Sequence, residues 1–116
     1  IQYSNGDNTY KYTASYPNPD DKCLINIRLI SENVRSGGSL PETITFTIGD
    51  LDPKDAKLSY EKSFKAYKLI FFTRKDRKVV KSDVYRKNAS IFVLRCNDEE
   101  ILKRLKKAFL VAINNF

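Results

Sequence analysis

The stretch SIFVLRCNDEEILKRLKKAFLVAINNF, residues 90–116, decides the fold. Its hydrophobic period changes at Asn97. Before that point Phe92, Leu94 and Cys96 alternate with Ile91, Val93 and Arg95, the pattern of a strand with one face in a core. After it the period becomes helical. Ile101, Leu102, Leu105, Ala108, Phe109, Ala112, Ile113 and Phe116 fall on one stripe. Asn97 is placed to cap the helix, with Glu100 three residues on as the return partner of a capping box. Acidic residues open the helix and cations follow, as its dipole prefers. Lys103, Arg104, Lys106 and Lys107 lie mostly off the apolar stripe. Leu110 and Val111 also fall off it, and either widen the buried face or leave a small apolar patch. The spacing predicts a helix over 97–116, packed on the strands before it.

Working back from Ser90, the chain reads as strands joined by polar turns. Residues 66–73 carry Tyr67, Leu69 and Phe71 on one face and Ile70 and Phe72 on the other, which predicts a central strand or a covered outer face. Residues 74–77 read as a hairpin turn and 78–85 as the returning strand. Residues 56–60 form another strand. The segment 50–55 reads as a turn held by Asp side chains. Its carboxylates Asp50, Asp52 and Asp55 lack the glycine and the further oxygens of a calcium loop. In 43–49, Ile44, Phe46 and Ile48 alternate with threonines; in 23–30, Cys23, Ile25, Ile27 and Leu29 share a face. Residues 9–16 alternate through Tyr10, Tyr12, Ala14 and Tyr16, and 1–8 read as a loose lead-in. The expectation is one α+β domain over 1–116. It has a bent antiparallel sheet or partly open barrel of about six to seven strands in 9–96, closed by the C-terminal helix.

Composition narrows the chemistry. The 116 residues are 41% hydrophobic and 30% charged, which suits a packed domain. There is no His, so no imidazole base, nucleophile partner or metal ligand exists. The cysteines, Cys23 and Cys96, are too far apart in sequence for a zinc or redox motif. Either they form a structural disulfide, closing a loop worth about 4 kcal/mol, or both are buried thiols. The disulfide is the expectation taken forward. No apolar run is long enough to span a bilayer.

Charge is divided along the chain. Residues 1–58 carry a net −2 and residues 59–116 a net +9. Seven cations, Arg74, Lys75, Arg77, Lys78, Lys81, Arg86 and Lys87, crowd into 74–87 against Asp76 and Asp83. They form the candidate polyanion site, for nucleic acid, acidic lipid or sulfated glycan. The bland counterpart is a solvated hairpin tip. Tyr85 adds a stacking surface to the first reading.

Antiparallel strands followed by one amphipathic helix, over 9–115, resemble the pleckstrin-homology-like superfold, where such a helix closes one end of a bent sheet or barrel. The Trp usual in the final helix of that superfold is absent here, and Leu105 or Phe109 stands in its place. Its phosphoinositide-binding members carry cations around the first hairpin. Residues 10–30 offer only Lys11, Lys22 and Arg28, so that activity is not implied. Asp50-Leu51-Asp52-Pro53, the Leu69-Ile70-Phe71-Phe72 strand and the helix are also similar to small secreted domains of Bacteroidetes-type bacteria. That resemblance implies a secreted, periplasmic or cell-surface location. The chain start at Ile1, without Met, fits a trimmed leader.

The functional expectation is a non-catalytic binding or scaffold module outside the cytoplasm, with a protein or acidic ligand as partner. It requires no cofactor and no metal. The alternative is the polyanion binder built on 74–87. Nucleic acid is the less favoured of its ligands.

Overall fold

A computed structural model of the chain describes residues 1–33 and 35–114. Among these residues eight strands form two antiparallel sheets, followed by one helix. The strands are β1 (Gln2–Asn5), β2 (Asn8–Ser15), β3 (Leu24–Asn33), β4 (Ser39–Thr47), β5 (Leu51–Glu61), β6 (Ala66–Thr73), β7 (Lys81–Ser82) and β8 (Ile91–Cys96). The helix, α1, spans Glu99–Asn114. One sheet has the order β1-β2-β3-β4-β7 and the other β5-β6-β8. The α+β class therefore holds, with two sheets rather than a closed barrel.

The expected lead-in is instead a strand. Gly6 has φ +61°, while Asp7 keeps an ordinary φ, so Gly6-Asp7 makes a tight turn of the kind that joins β-hairpins. Residues 2–5 then pair with 8–11. Tyr3 is buried and stacks on Tyr10 at 4.8 Å. The terminal ammonium donates to the Tyr12 carbonyl at 3.0 Å.

The core lies where the two sheets meet the helix. Ile27 and Phe46 come from the first sheet, Leu69, Phe71, Phe92 and Leu94 from the second, and Leu102 and Ile113 from α1; all are buried. Phe92 is the centre of this contact. Its ring lies 4.7 Å from Phe46, 6.5 Å from Phe71 and 6.2 Å from Phe109. The central position of β6 explains its two apolar faces. Leu69 and Phe71 face the core, while Ile70 and half-buried Phe72 line the outer side, with the Lys57 ammonium 5.4 Å from the Phe72 ring. Strand β5 begins earlier than predicted, at Leu51, and crosses 51–56 by a register shift. Within that bulge the Lys54 amide donates to Asp52 Oδ1 at 2.9 Å, so the expected aspartate turn is present inside a longer strand.

Three further expectations are corrected. First, 78–85 does not return along β6, whose neighbours are β5 and β8. The turn at 74–77 exists, with Lys75 and Asp76 both at positive φ and Arg77 N–H donating to the Arg74 carbonyl at 3.3 Å. Beyond it the chain crosses over: Lys81–Ser82 pairs with β4, and Val80 makes a single bridge to Ala89. Second, the helix cap is Asp98, whose Oδ1 accepts from the Glu100 amide at 3.0 Å. Asn97 stands one residue too early, and the Glu100 carboxylate meets Lys103 instead of turning back. Third, Cys23 and Cys96 are free thiols. The Cys23 carbonyl accepts from Ile48 N–H, just before Leu51, which pairs with Thr73. Cys96 pairs with Tyr67. Tyr67 and Thr73 are six residues apart on β6, about 20 Å along the strand, whereas a disulfide needs Cα atoms within about 7 Å. Of the predicted helical stripe, Ala108 is exposed and Phe116 lies outside the described residues.

An ion pair network closes the outer face of the second sheet. Glu61 accepts from Lys68 Nζ at 2.8 Å and from Arg95 Nε at 3.1 Å. The Arg95 guanidinium also lies 4.3 Å over the Phe64 ring. The Lys68 hydrogen bond, assisted by Arg95, holds the Glu61 carboxyl below the usual carboxylate range. A lowered carboxyl stabilises the fold above its unfolded pKa, and that contribution is lost as pH falls through the folded value. Glu61→Gln is therefore expected to be less stable than wild type at neutral pH. In urea denaturation across acid pH the difference should shrink as pH drops below about 5. A difference that stays constant would show that the network is not charged.

Candidate functional site

The two sheets meet without a continuous ladder, and a cavity of about 300 Å³ lies along the seam. Its construction follows from register. Tyr12, Leu29 and Glu42 stand directly opposite one another on β2, β3 and β4. Ile27, Ile44 and Ser82 form the parallel row two residues along. Directly opposite residues share a face, so Tyr12, Leu29, Glu42, Ile44 and Ser82 all reach the same wall of the cavity.

The opposite wall is the free edge of β8. In an antiparallel ladder, hydrogen-bonding groups alternate between the two edges of a strand. Ser90 accepts from Thr73 N–H, so the even-numbered residues of β8 bond to β6. The odd-numbered ones face the seam. Ala89 spends its groups on Val80, at 2.8 and 3.0 Å. Arg95 N–H donates to the Tyr12 hydroxyl at 3.3 Å. Between them the N–H and C=O groups of Ile91 and Val93 have no strand partner among the described residues. They face the cavity with their residues in its wall.

Segment 83–90 forms the roof, carrying Tyr85, Lys87 and Ala89. It is anchored by side chains. Ser82 Oγ donates to Glu42 Oε2 at 2.6 Å and accepts from Val84 N–H at 3.1 Å. Asp83 Oδ1 accepts from Thr43 N–H at 2.8 Å, and Asp83 N–H donates to the Thr43 carbonyl at 3.2 Å. Three charges reach the cavity. Glu42 is engaged with Ser82 and Arg95 with Glu61, while Lys87 has no ion pair among the described residues. The lining is thus apolar walls, an open backbone edge and one unpaired cation, the make-up of a small-molecule site.

Tyr12 belongs to this wall and is only 7% exposed. Burial pushes the Tyr12 and Tyr3 hydroxyls above the ordinary phenol value; the Tyr12 and Tyr10 phenols add to the shift at Tyr3, and the Glu42 carboxylate and Tyr10 to that at Tyr12. A raised acid stabilises the fold below its unfolded pKa, and the contribution is lost as pH rises through the folded value. Absorbance titration at alkaline pH should show two of the seven tyrosines ionising only together with unfolding. Ionisation of all seven in the folded protein near pH 10 would contradict this placement.

The cations of 74–87 have different neighbours. Arg74 Nε donates to the Gly49 carbonyl at 2.9 Å, tying the turn to the chain before β5. Lys75 occupies the left-handed turn. Lys78 and Lys81 line a separate groove of about 280 Å³ with Asp50, Thr45 and Thr47. Lys87 reaches the seam cavity, and all seven cations are exposed. Sequence reasoning grouped them because they are neighbours in the chain. The crossover at β7 sets Lys81 apart from Lys87, since Lys81 and Ser82, adjacent on a strand, point to opposite faces and Ser82 lines the seam cavity with Lys87. The cavity residues drawn from β2, β3, β4 and β8 escaped notice because they read only as core positions.

Among the described residues no cluster of three or more Cys, Asp or Glu side chains could hold a metal ion. No helix there is long and apolar enough to cross a membrane. Compared with protein-family models, with curated proteins and with solved structures, the chain finds no match.

Proposed function

We propose that the chain is a non-catalytic binding module whose ligand site is the seam cavity, and that the ligand is a small, largely apolar molecule with one acidic group. The carrying observation is the cavity's inventory: apolar walls from both sheets, the N–H and C=O groups of Val93 without a strand partner among the described residues, and Lys87 as the one lining cation without an ion pair there, opposite a Glu42 carboxylate already engaged by Ser82. The apolar walls favour the body of such a ligand, and Lys87 favours its acid.

The test is a titration of backbone amide resonances with medium-chain carboxylates and their uncharged amides. Carboxylates should shift the signals of 91–95 and of Ser82. Lys87→Ala should weaken carboxylates about tenfold, a loss of ~1.4 kcal/mol, and leave the amides unchanged. Equal binding of both series, or shifts away from the seam, would sink the proposal.

A pleckstrin-homology-like fold remains a proposal supported by element order alone. So does an extracytoplasmic location, which rests on the resemblance to small secreted domains and gains nothing from the free cysteines. Polyanion binding through 74–87 is the second reading. The exposure of all seven cations supports it, and the placement of Lys87 in the seam cavity, apart from Lys78 and Lys81, counts against it.

A further inference from the structure

A different surface carries a second cluster of cations. On α1, Lys103, Arg104 and Lys107 fall within about one quadrant of the helix at ~100° per residue, away from buried Leu102 and Ile113. Together with Lys106 and Glu100 they surround a groove of about 490 Å³ between α1 and β5. Its floor is apolar, made by Leu58 and half-buried Leu110. Val111, on the same side of the helix, is 64% exposed.

The charges here are only partly compensated. Glu99 and Glu100 both pair with Lys103, each at 3.4 Å. Arg104, Lys106 and Lys107 have no ion pair or side-chain hydrogen bond among the described residues. Three unpaired cations beside an apolar floor set the chemistry of an occupant. It must carry several negative charges and at least one apolar side chain. A nucleic-acid backbone supplies charge and nothing for the floor. A bilayer supplies both, but its surface is flat and the site is concave.

We propose that the α1–β5 groove docks an acidic peptide segment of a partner protein, with an apolar side chain seated on Leu58 and Leu110 and flanking Asp or Glu residues facing Arg104, Lys106 and Lys107. The warrant is charge complementarity joined to the apolar floor. This interaction is independent of the seam cavity, so either site can fail without the other.

The test uses a fluorescein-labelled peptide, DELEEFLDELFD, and its counterpart without apolar residues, DESEESSDESSD. Vesicles containing anionic phospholipid and single-stranded DNA are the competing probes. Anisotropy should report binding of the first peptide and at least tenfold weaker binding of the second. Arg104→Glu with Lys107→Glu should weaken the first peptide by a similar factor. Leu110→Ser, at a site outside the buried core, should do the same while the circular dichroism spectrum is unchanged. Arg77→Glu with Arg86→Glu makes the same change in net charge elsewhere and should have little effect. Equal binding of the two peptides would overturn the proposal, as would tighter binding to vesicles or DNA, an equal loss in the Arg77/Arg86 variant, or no peptide binding.

Discussion

Phe92→Ala is expected to cost about 3–5 kcal/mol, the range for deleting a buried aromatic. Phe92 is 1% exposed and holds three components at once: β4 through Phe46, β6 through Phe71 and the helix through Phe109. No neighbour can collapse into the space without leaving one of the others. A domain of this size has about 5–15 kcal/mol in total, so the variant should unfold at much lower urea or be partly unfolded in buffer. Phe92→Leu, which keeps most of the volume, should lose clearly less. A cost below about 1 kcal/mol for the alanine variant would mean that the sheets do not meet at this ring.

The second large effect concerns the faces of the helix. Leu102→Ala should cost about 2–5 kcal/mol, because Leu102 is fully buried. Val111→Ala, at an exposed position of the same helix, should stay within about 0.5 kcal/mol. Denaturation of the two variants in parallel checks the rotation of α1 about its axis. Comparable losses would place Val111 in the core and close the outer face on which the proposed peptide groove depends.

The ease of reading the sequence varied with how local each signal was. The change of period at Asn97 marked the helix because sixteen residues repeat the pattern. Strand β6 was legible because apolar residues on both faces mark a strand flanked on each edge, as β5 and β8 flank it. The first hairpin was missed although Gly6-Asp7 is a recognised two-residue turn signal; the polar residues around it masked the short alternation of Tyr3 with its neighbours. The return strand after 74–77 failed for a different reason. The turn formed as expected, but which sheet the chain joins next is decided by long-range packing of Val80 and Ser82, and no local pattern carries that choice. The disulfide failed similarly. Both cysteines lie on core-facing positions, as their alternation implied, yet at opposite ends of β6. Alternation reports the face of a sheet and not the position along it. The seam cavity was illegible throughout, since its apolar lining is written in the same residues as a core.

The account rests on the sheets failing to zip along β8. Residue-by-residue amide hydrogen exchange over Ile91–Cys96 tests this most directly. Phe92, Leu94 and Cys96 bond to β6 and should be slow to exchange, and Arg95 should be protected by the Tyr12 hydroxyl. Ile91 and Val93 should exchange markedly faster, and a bound carboxylate should slow them. Uniform protection along the strand in the free protein would mean that the seam is closed by backbone pairing, and would leave no cavity for a ligand.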